Sequence, residues 1–291
     1  MYRPVRILSL GFRNIPEEQI WDTLRREASY MPDVIVLPEA WLGDDYPMDG
    51  CGGVLQRAAE IAAALNTYLI CPLYRRTDAG TCRNSAFLLD RQGKLIHTYD
   101  KIFPYWTEFS ASPPCESGQD TRVIAADFGR IAVTICFDVN FPAVWEKIDG
   151  NGAELVLWPS DYSAGRALQA HAMTHHYYIV SATRYPDTAV YDISGDEMSY
   201  HTHAGVVAAK TILDLDRTAF HENFNLDKCE KLLAKYPDIT VEKRFPREQW
   251  FILASHNDRI SVKKAAQEFE MEDIRTYIHR SGREINPRFL A

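Results

Sequence analysis

Long apolar runs, cysteines at chelating spacing and blocks of positive charge are all missing from this chain of 291 residues. No apolar run approaches the roughly 20 residues that a membrane helix needs, so a membrane partner is not expected. Thirty-two Lys and Arg stand against 40 Asp and Glu, a net charge of -8 with no basic block. That balance excludes nucleic-acid binding driven by counterion release and favours a small uncharged or mixed-charge substrate. The six cysteines (Cys51, Cys71, Cys82, Cys115, Cys136 and Cys229) are scattered without CxxC spacing. The opening Met1 to Leu10 has an apolar core too short for a secretory signal and reads as a strand. Separate thiols in a reducing, cytoplasmic setting are therefore expected.

What is present is an alternation of strand-like and helix-like segments, the pattern of an α/β protein. Strands are expected at the start, at Val34–Leu37, Tyr68–Leu73, Leu155–Trp158, Tyr177–Thr183 and Gly205–Leu213. Helices are expected over Pro16–Tyr30, Val54–Leu65 and about Arg166–His176, each with apolar residues recurring on one face. Glycine-containing turns at Asp90–Gly93 and Asp127–Arg130 join two hairpins, which excludes a purely parallel sheet. No internal repeat or low-complexity linker interrupts the chain, so residues 1–216 are read as one domain and 217–291 as an appended C-terminal extension. In that extension Ser261 is placed to cap one helix, and Met271–Ile278 is read as a second. Seven basic and six acidic residues over 258–291 argue against a DNA-reading helix pair there. Packing on the body or on a partner subunit is the expected role.

Three apolar runs stop at chemically capable residues. Arg130 to Ile135 ends at Cys136, Val34 to Leu37 ends at Pro38 and Glu39, and Lys94 to Asp100 ends at Lys101. Strand ends of an α/β sheet converge, and ligands bind in the crevice outside them. A free thiol is only a few per cent ionised at neutral pH and needs a base or a nearby cation before it can attack a carbonyl. Glu39 can supply the base and Lys101 the cation, with a backbone amide after the cysteine completing an oxyanion site. Glu108 lies seven residues beyond Lys101, across a loop able to fold a second carboxylate back.

The same segments, Leu37-Pro38-Glu39, Asp100-Lys101-Ile102-Phe103-Pro104 with Glu108, and Ile135-Cys136-Phe137-Asp138 with Phe141-Pro142, resemble the nitrilase superfamily of carbon–nitrogen hydrolases. The resemblance covers about residues 5–225, including Gly152 to Ser160 and Asp214 to Arg217. It implies a four-layer αββα sandwich, a Glu39-Lys101-Cys136 triad supported by Glu108, a thioester on Cys136, and subunits that pair as a homodimer or higher homo-oligomer. Phe137-Asp138 looks like the amidase and carbamoylase branches, where nitrile-cleaving members carry tryptophan and glutamate. A linear amide or N-carbamoyl substrate is expected; nitrile hydrolysis on the same site and a non-catalytic binding subunit are the alternatives. Asn140 and Ala143 depart from the arginine and glutamate common in those branches, and His171 to His176 replaces other expected residues.

The loop Phe103 to Gln119 interleaves aromatic residues with prolines and is expected to wall the pocket, with Trp106, Phe137, Asp161 and Tyr162 as substrate contacts. His171 and His175, four apart on one helix face, have a metal-ligand spacing, and His201 and His203 alternate on a possible strand. The segment lacks the glutamate of a His-Glu-x-x-His motif, and no Cys pair or acidic cluster completes it. Packing or substrate hydrogen bonding is expected there, with no metal and no cofactor.

Overall fold

The computed structural model describes residues 4–44 and 51–287. The chain divides into two compact units, one Val5–Ile212 and the other Leu213–Ala291 with Met1–Pro4.

The larger unit begins with β1 (Pro4–Gly11), α1 (Glu17–Arg26), β2 (Val34–Val36), α2 (Cys51–Leu65), β3 (Tyr68–Arg76), β4 (Cys82–Leu89) and β5 (Leu95–Asp100). A four-residue helix, α3 (Trp106–Phe109), precedes the second half. That half runs β6 (Ile124–Ala125), β7 (Arg130–Val133), α4 (Pro142–Gly150), β8 (Leu155–Ser160), α5 (Gly165–His175), β9 (Tyr178–Thr183), β10 (Asp187–Tyr191) and β11 (Glu197–Thr202), followed by β12 (Val207–Asp214). Two six-stranded sheets result, ordered β12-β1-β2-β3-β4-β5 and β11-β10-β9-β8-β7-β6. In the first, β1, β2 and β3 are parallel and the β3-β4-β5 ladder is antiparallel; in the second, β7, β8 and β9 are parallel and antiparallel strands flank them.

Helix α1 forms because Ile20, Trp21 and Leu24 bury one stripe while Glu17 and Glu18 in its first turn and Arg25 and Arg26 in its last complement the helix dipole. Pro16 is the capping residue just outside the helix, and the predicted C-terminal part, Glu27–Tyr30, tightens into a 3-10 turn. With α2 it covers Leu8, Leu10, Ile35, Leu37 and Leu69 on one face of the first sheet. Helices α4 and α5 cover Ala132, Val156, Trp158 and Ile179 on the second sheet. The opposite faces hold Ile7, Val34, Val36 and Ile70 on one sheet and Ile131, Leu155, Leu157 and Val180 on the other, all fully buried. Helices cover only one face of each sheet, so these residues pack sheet on sheet, and the layers read α, β, β, α. Gly11 permits one close approach: a Cβ there would lie 2.4 Å from the Asp187 carbonyl oxygen of the other sheet.

The C-terminal unit is more than the helices expected of it. Strands β13 (Thr218–His221), β14 (Ile239–Phe245) and β15 (Trp250–Ser255) form an antiparallel sheet ordered β13-β15-β14. Helices α6 (Leu226–Lys235), α7 (Val262–Glu268) and α8 (Ile274–Ile285) accompany it. Phe220, Phe251 and Leu253 pack against Leu232, Val262, Ala265 and Ala266, a core of its own. Ser261 caps α7 by accepting from the Lys264 amide, and Asp273 caps α8 in the same way through Thr276.

The scatter of the cysteines points to six separate thiols, and here the structure differs. Cys82 and Cys115 form a disulfide, because a parallel bridge between their backbones brings the Cα atoms to 4.3 Å. Cys51, Cys71, Cys136 and Cys229 are outside any disulfide. Among the described residues, no helix is long and apolar enough to cross a membrane.

Candidate active site

The three sequence-distant strand ends meet at one edge of the sandwich. Glu39 follows β2 by way of Leu37 and Pro38, and Leu37 extends the ladder by donating its amide to the Ile70 carbonyl at 3.2 Å. Lys101 follows β5 and keeps its amide on the Asn84 carbonyl at 2.8 Å. The loop after Lys101 closes on itself where the Gly118 amide donates to the Lys101 carbonyl at 2.8 Å. A Cβ on Gly118 would sit 2.0 Å from the Asp100 carbonyl oxygen, so only glycine allows that closure.

Lys101 is the centre of the cluster. Its Nζ donates to Glu39 Oε1 at 2.7 Å and to Glu108 Oε2 at 2.6 Å, with all three side chains buried. Asn84 Nδ2 bridges the same two carboxylates, at 2.7 Å to Glu39 Oε1 and 2.6 Å to Glu108 Oε1. The Tyr74 hydroxyl and the Tyr105 amide also donate to Glu108, at 3.0 and 2.6 Å, so four donors converge on one carboxylate. Glu39 Oε2 is buried with no hydrogen-bond partner. Burial opposes the Lys101 charge, but Glu39, the Cys136 sulfur and Glu108 together outweigh it and raise the pKa, so the ammonium persists. Burial, reinforced by the Glu108 and Glu39 charges, likewise raises Tyr74 and keeps its phenol a neutral donor.

Cys136 opens a 3-10 turn, Cys136–Asn140, directly after the strand that contains β7. Its φ of 44° is left-handed, a conformation costing a β-carbon residue on the order of 1–2 kcal/mol, so the surroundings must hold it. The Asp138 carboxylate does much of this. It accepts from the Ile135 amide at 3.0 Å, the Phe103 amide at 2.8 Å and the Tyr99 hydroxyl at 2.7 Å, tying the cysteine turn to the segment after Lys101. Burial, then the Glu39 charge, pushes the Cys136 thiol well above its usual range, against the lowering influence of Lys101, the Ser160 hydroxyl and the Asp161 amide. The resting sulfur is therefore a protonated thiol, in the cavity that the Glu39 carboxylate also lines.

Glu39, Lys101, Glu108 and Cys136 line a cavity of about 790 Å³ together with Phe137, Asp161 and Tyr162. Trp106 does not line it. It starts α3, is 69% exposed and turns its ring edge onto Phe109, outside the wall expected of it. Tyr105, one residue earlier, takes the wall position, with its ring edge-on to Phe137 at 5.3 Å. Arg184 also lines the cavity, held by Asp44 at 2.5 Å and Asp161 at 3.4 Å. Sequence reasoning missed Asn84, Tyr74, Ser160 and Arg184. Arg184 follows an apolar strand as Cys136 does, so the strand-end signal was available for it; a buried asparagine inside β4 carries no such signal.

The histidines do not gather as metal ligands. His171 Nε2 faces the Val139 carbonyl at 2.9 Å, and His175 Nδ1 faces Asp149 at 3.3 Å. Among the described residues, no group of three His, Cys, Asp or Glu is placed to hold a metal ion. The residues present fit hydrogen-bonded packing.

Known proteins resemble this chain in sequence and in fold. The carbon-nitrogen hydrolase family profile matches residues 19–208. A deaminated glutathione amidase of Yersinia enterocolitica is 26% identical over 127 residues, 39% of this chain and 44% of that one. The omega-amidase NIT2 of Mus musculus is 21% identical over 241 residues, 76% and 86% of the two chains. The chain spans about half the length of the curated relatives it matches first. Among solved structures, a mutant amidase from Nesterenkonia sp. AN1, with the acetamide moiety of fluoroacetamide added covalently at its active-site cysteine, superposes with a TM-score of 0.63 at 17% identity. That superposition covers 74% of this chain and 91% of the amidase.

Proposed function

From the premise that the chain belongs to the carbon–nitrogen hydrolase family, we propose that it hydrolyses a linear amide or N-carbamoyl compound through a thioester on Cys136. The observation that carries this reading is the Lys101 ammonium held between Glu39 and Glu108, at 2.7 and 2.6 Å, in the cavity that Cys136 lines. Relatives named as amidases support an amide substrate.

In this reading the Cys136 sulfur attacks the substrate carbonyl carbon while Glu39 takes the thiol proton. The carbonyl π electrons move onto oxygen, and that oxyanion is stabilised by the Lys101 ammonium and the Phe137 backbone amide. Glu39 then returns the proton to the departing nitrogen, the C–N bond breaks, and ammonia or an amine leaves behind a thioester. Water, deprotonated by Glu39, adds to the thioester carbonyl; collapse expels the Cys136 sulfur, which recovers the proton, and frees the acid. Glu108 holds Lys101 in place throughout and does not exchange protons. The aromatic wall of Tyr105, Phe137 and Tyr162 shields the thioester from bulk water.

Ammonia release from a panel of linear amides and N-carbamoyl compounds tests this. Cys136→Ala should retain the wild-type circular dichroism spectrum and lose at least about 1,000-fold in kcat, as loss of a covalent nucleophile does. Undiminished turnover by that variant would refute the assignment.

A further inference from the structure

The turn that carries Cys136 has an unusual set of partners. Four consecutive backbone carbonyls, at residues 136 to 139, each accept from a side chain. Trp158 Nε1 donates to the Cys136 carbonyl at 3.2 Å, Asn140 Nδ2 to Phe137 at 3.2 Å and Trp145 Nε1 to Asp138 at 3.1 Å. His171 Nε2 stands 2.9 Å from the Val139 carbonyl. A carbonyl only accepts, so this nitrogen carries the hydrogen. Three of these four are met by rigid ring N–H groups from β8, α4 and α5, and the Asp138 carbonyl also accepts from the Phe141 amide that closes the turn, at 3.1 Å.

We propose that His171 is a positioning residue for the nucleophile: its Nε2–H on the Val139 carbonyl, and its ring on Trp145, hold the Cys136 turn in register with Lys101. The His171 and Trp145 rings are stacked, with centroids 4.1 Å apart and planes at 6°, so the histidine also orients the indole that meets the Asp138 carbonyl. Asp138 in turn ties the turn to Phe103, two residues beyond Lys101. Release of the Val139 carbonyl therefore loosens the distance between sulfur and ammonium, although His171 does not line the cavity. This gives the histidine segment a role that does not involve a metal.

The inference rests on the hydrolase reading, and its test separates the two. His171→Phe keeps a ring for Trp145 and removes the donor; His171→Gln places an amide N–H near the original Nε2 and removes the ring. With a linear amide, His171→Phe should lower kcat by about tenfold or more with KM within about twofold, as a misplaced reacting group does, while His171→Gln recovers most of the loss. Wild-type kcat in His171→Phe, or a folded His171→Gln no better than it, would overturn the proposal. If the wild type releases ammonia from no amide or carbamoyl compound, the hydrolase reading fails, and positioning is read from alkylation of the Cys136 peptide by iodoacetamide. His171→Phe should then react at least about fivefold more slowly than the wild type and His171→Gln close to it. Equal rates in all three would overturn the proposal. Should His171→Phe not fold, the nitrogen-correlated NMR spectrum of the wild-type ring decides: a neutral His171 protonated at Nε2 supports the proposal, and one protonated at Nδ1 overturns it.

Discussion

Replacing Glu108 by glutamine changes no shape and removes one acceptor, and the structure sets what that costs. Oε1 accepts from Asn84 Nδ2 and the Tyr74 hydroxyl, and Oε2 accepts from Lys101 Nζ and the Tyr105 amide. A glutamine offers one oxygen and one NH₂ group, so in either orientation the NH₂ faces two donors. The less costly orientation turns the NH₂ toward Tyr74, whose hydroxyl can rotate to accept, but it sets Asn84 Nδ2 against a donor. Asn84 cannot flip freely, because the same nitrogen serves Glu39. The variant thus loses one to two hydrogen bonds to a charged acceptor, about 1.5–3 kcal/mol each, while Lys101 keeps Glu39. Glu108→Gln should lose about 2–5 kcal/mol of stability, which in a unit of this size lowers the melting temperature by roughly 5–15 °C. Thermal unfolding followed by near-ultraviolet circular dichroism measures this, and kcat should fall in the same variant. A stability change under about 0.5 kcal/mol, the usual range of a surface substitution, would refute the reasoning.

Further outcomes follow from other parts of the site. Burial pushes the Asp138 carboxyl up to about 6, against hydrogen bonds from the Ile135 amide, Tyr99 and the Phe103 amide. Its folded value lies above its ordinary 3.8, so the folded state holds the proton more tightly, and stability should fall by up to about 3 kcal/mol as pH rises from about 4 to about 6. Activity should run the opposite way, rising through about 6 as the carboxylate needed by the three donors forms; a flat rate from pH 5 to 7 would contradict it. Trp106→Ala should leave kcat/KM within about twofold, since the side chain is exposed outside the cavity; a tenfold loss would return it to the substrate site. Thiol titration of protein denatured without reductant should count four, from Cys51, Cys71, Cys136 and Cys229, and a count of six would mean that Cys82 and Cys115 are not bridged.

The parts of the molecule legible in the sequence are those governed by local pattern. The apolar strands ending at Glu39, Lys101 and Cys136 could be read because buried strands of a covered sheet are continuous apolar runs, and because the residue at the rim is the first polar one. The helices at Glu17–Arg26, Cys51–Leu65 and Gly165–His175 were similarly visible from their apolar stripes. Strand β11 was read only at its end, around His201, because five of its six residues are exposed and it has no buried face to alternate. Strands β13 and β14 escaped because they are short or half-exposed and only long-range pairing makes them a sheet, whereas β15 is a buried apolar run like those at the site, so its signal was available. Asn84, Tyr74 and the Cys82–Cys115 pair depend on which strands lie side by side, which no spacing along the chain encodes. Trp106 shows the converse limit: alternation of aromatic residues in a loop does not reveal which ring turns inward.

The most direct test of the central claim is the mass of the enzyme caught during turnover. Wild-type protein mixed with a linear amide, quenched in acid within one catalytic cycle and digested, should carry the acyl group of that amide on the peptide containing Cys136, and nowhere else. Ammonia release at the full rate with an unmodified Cys136 peptide at every quench time would contradict the account.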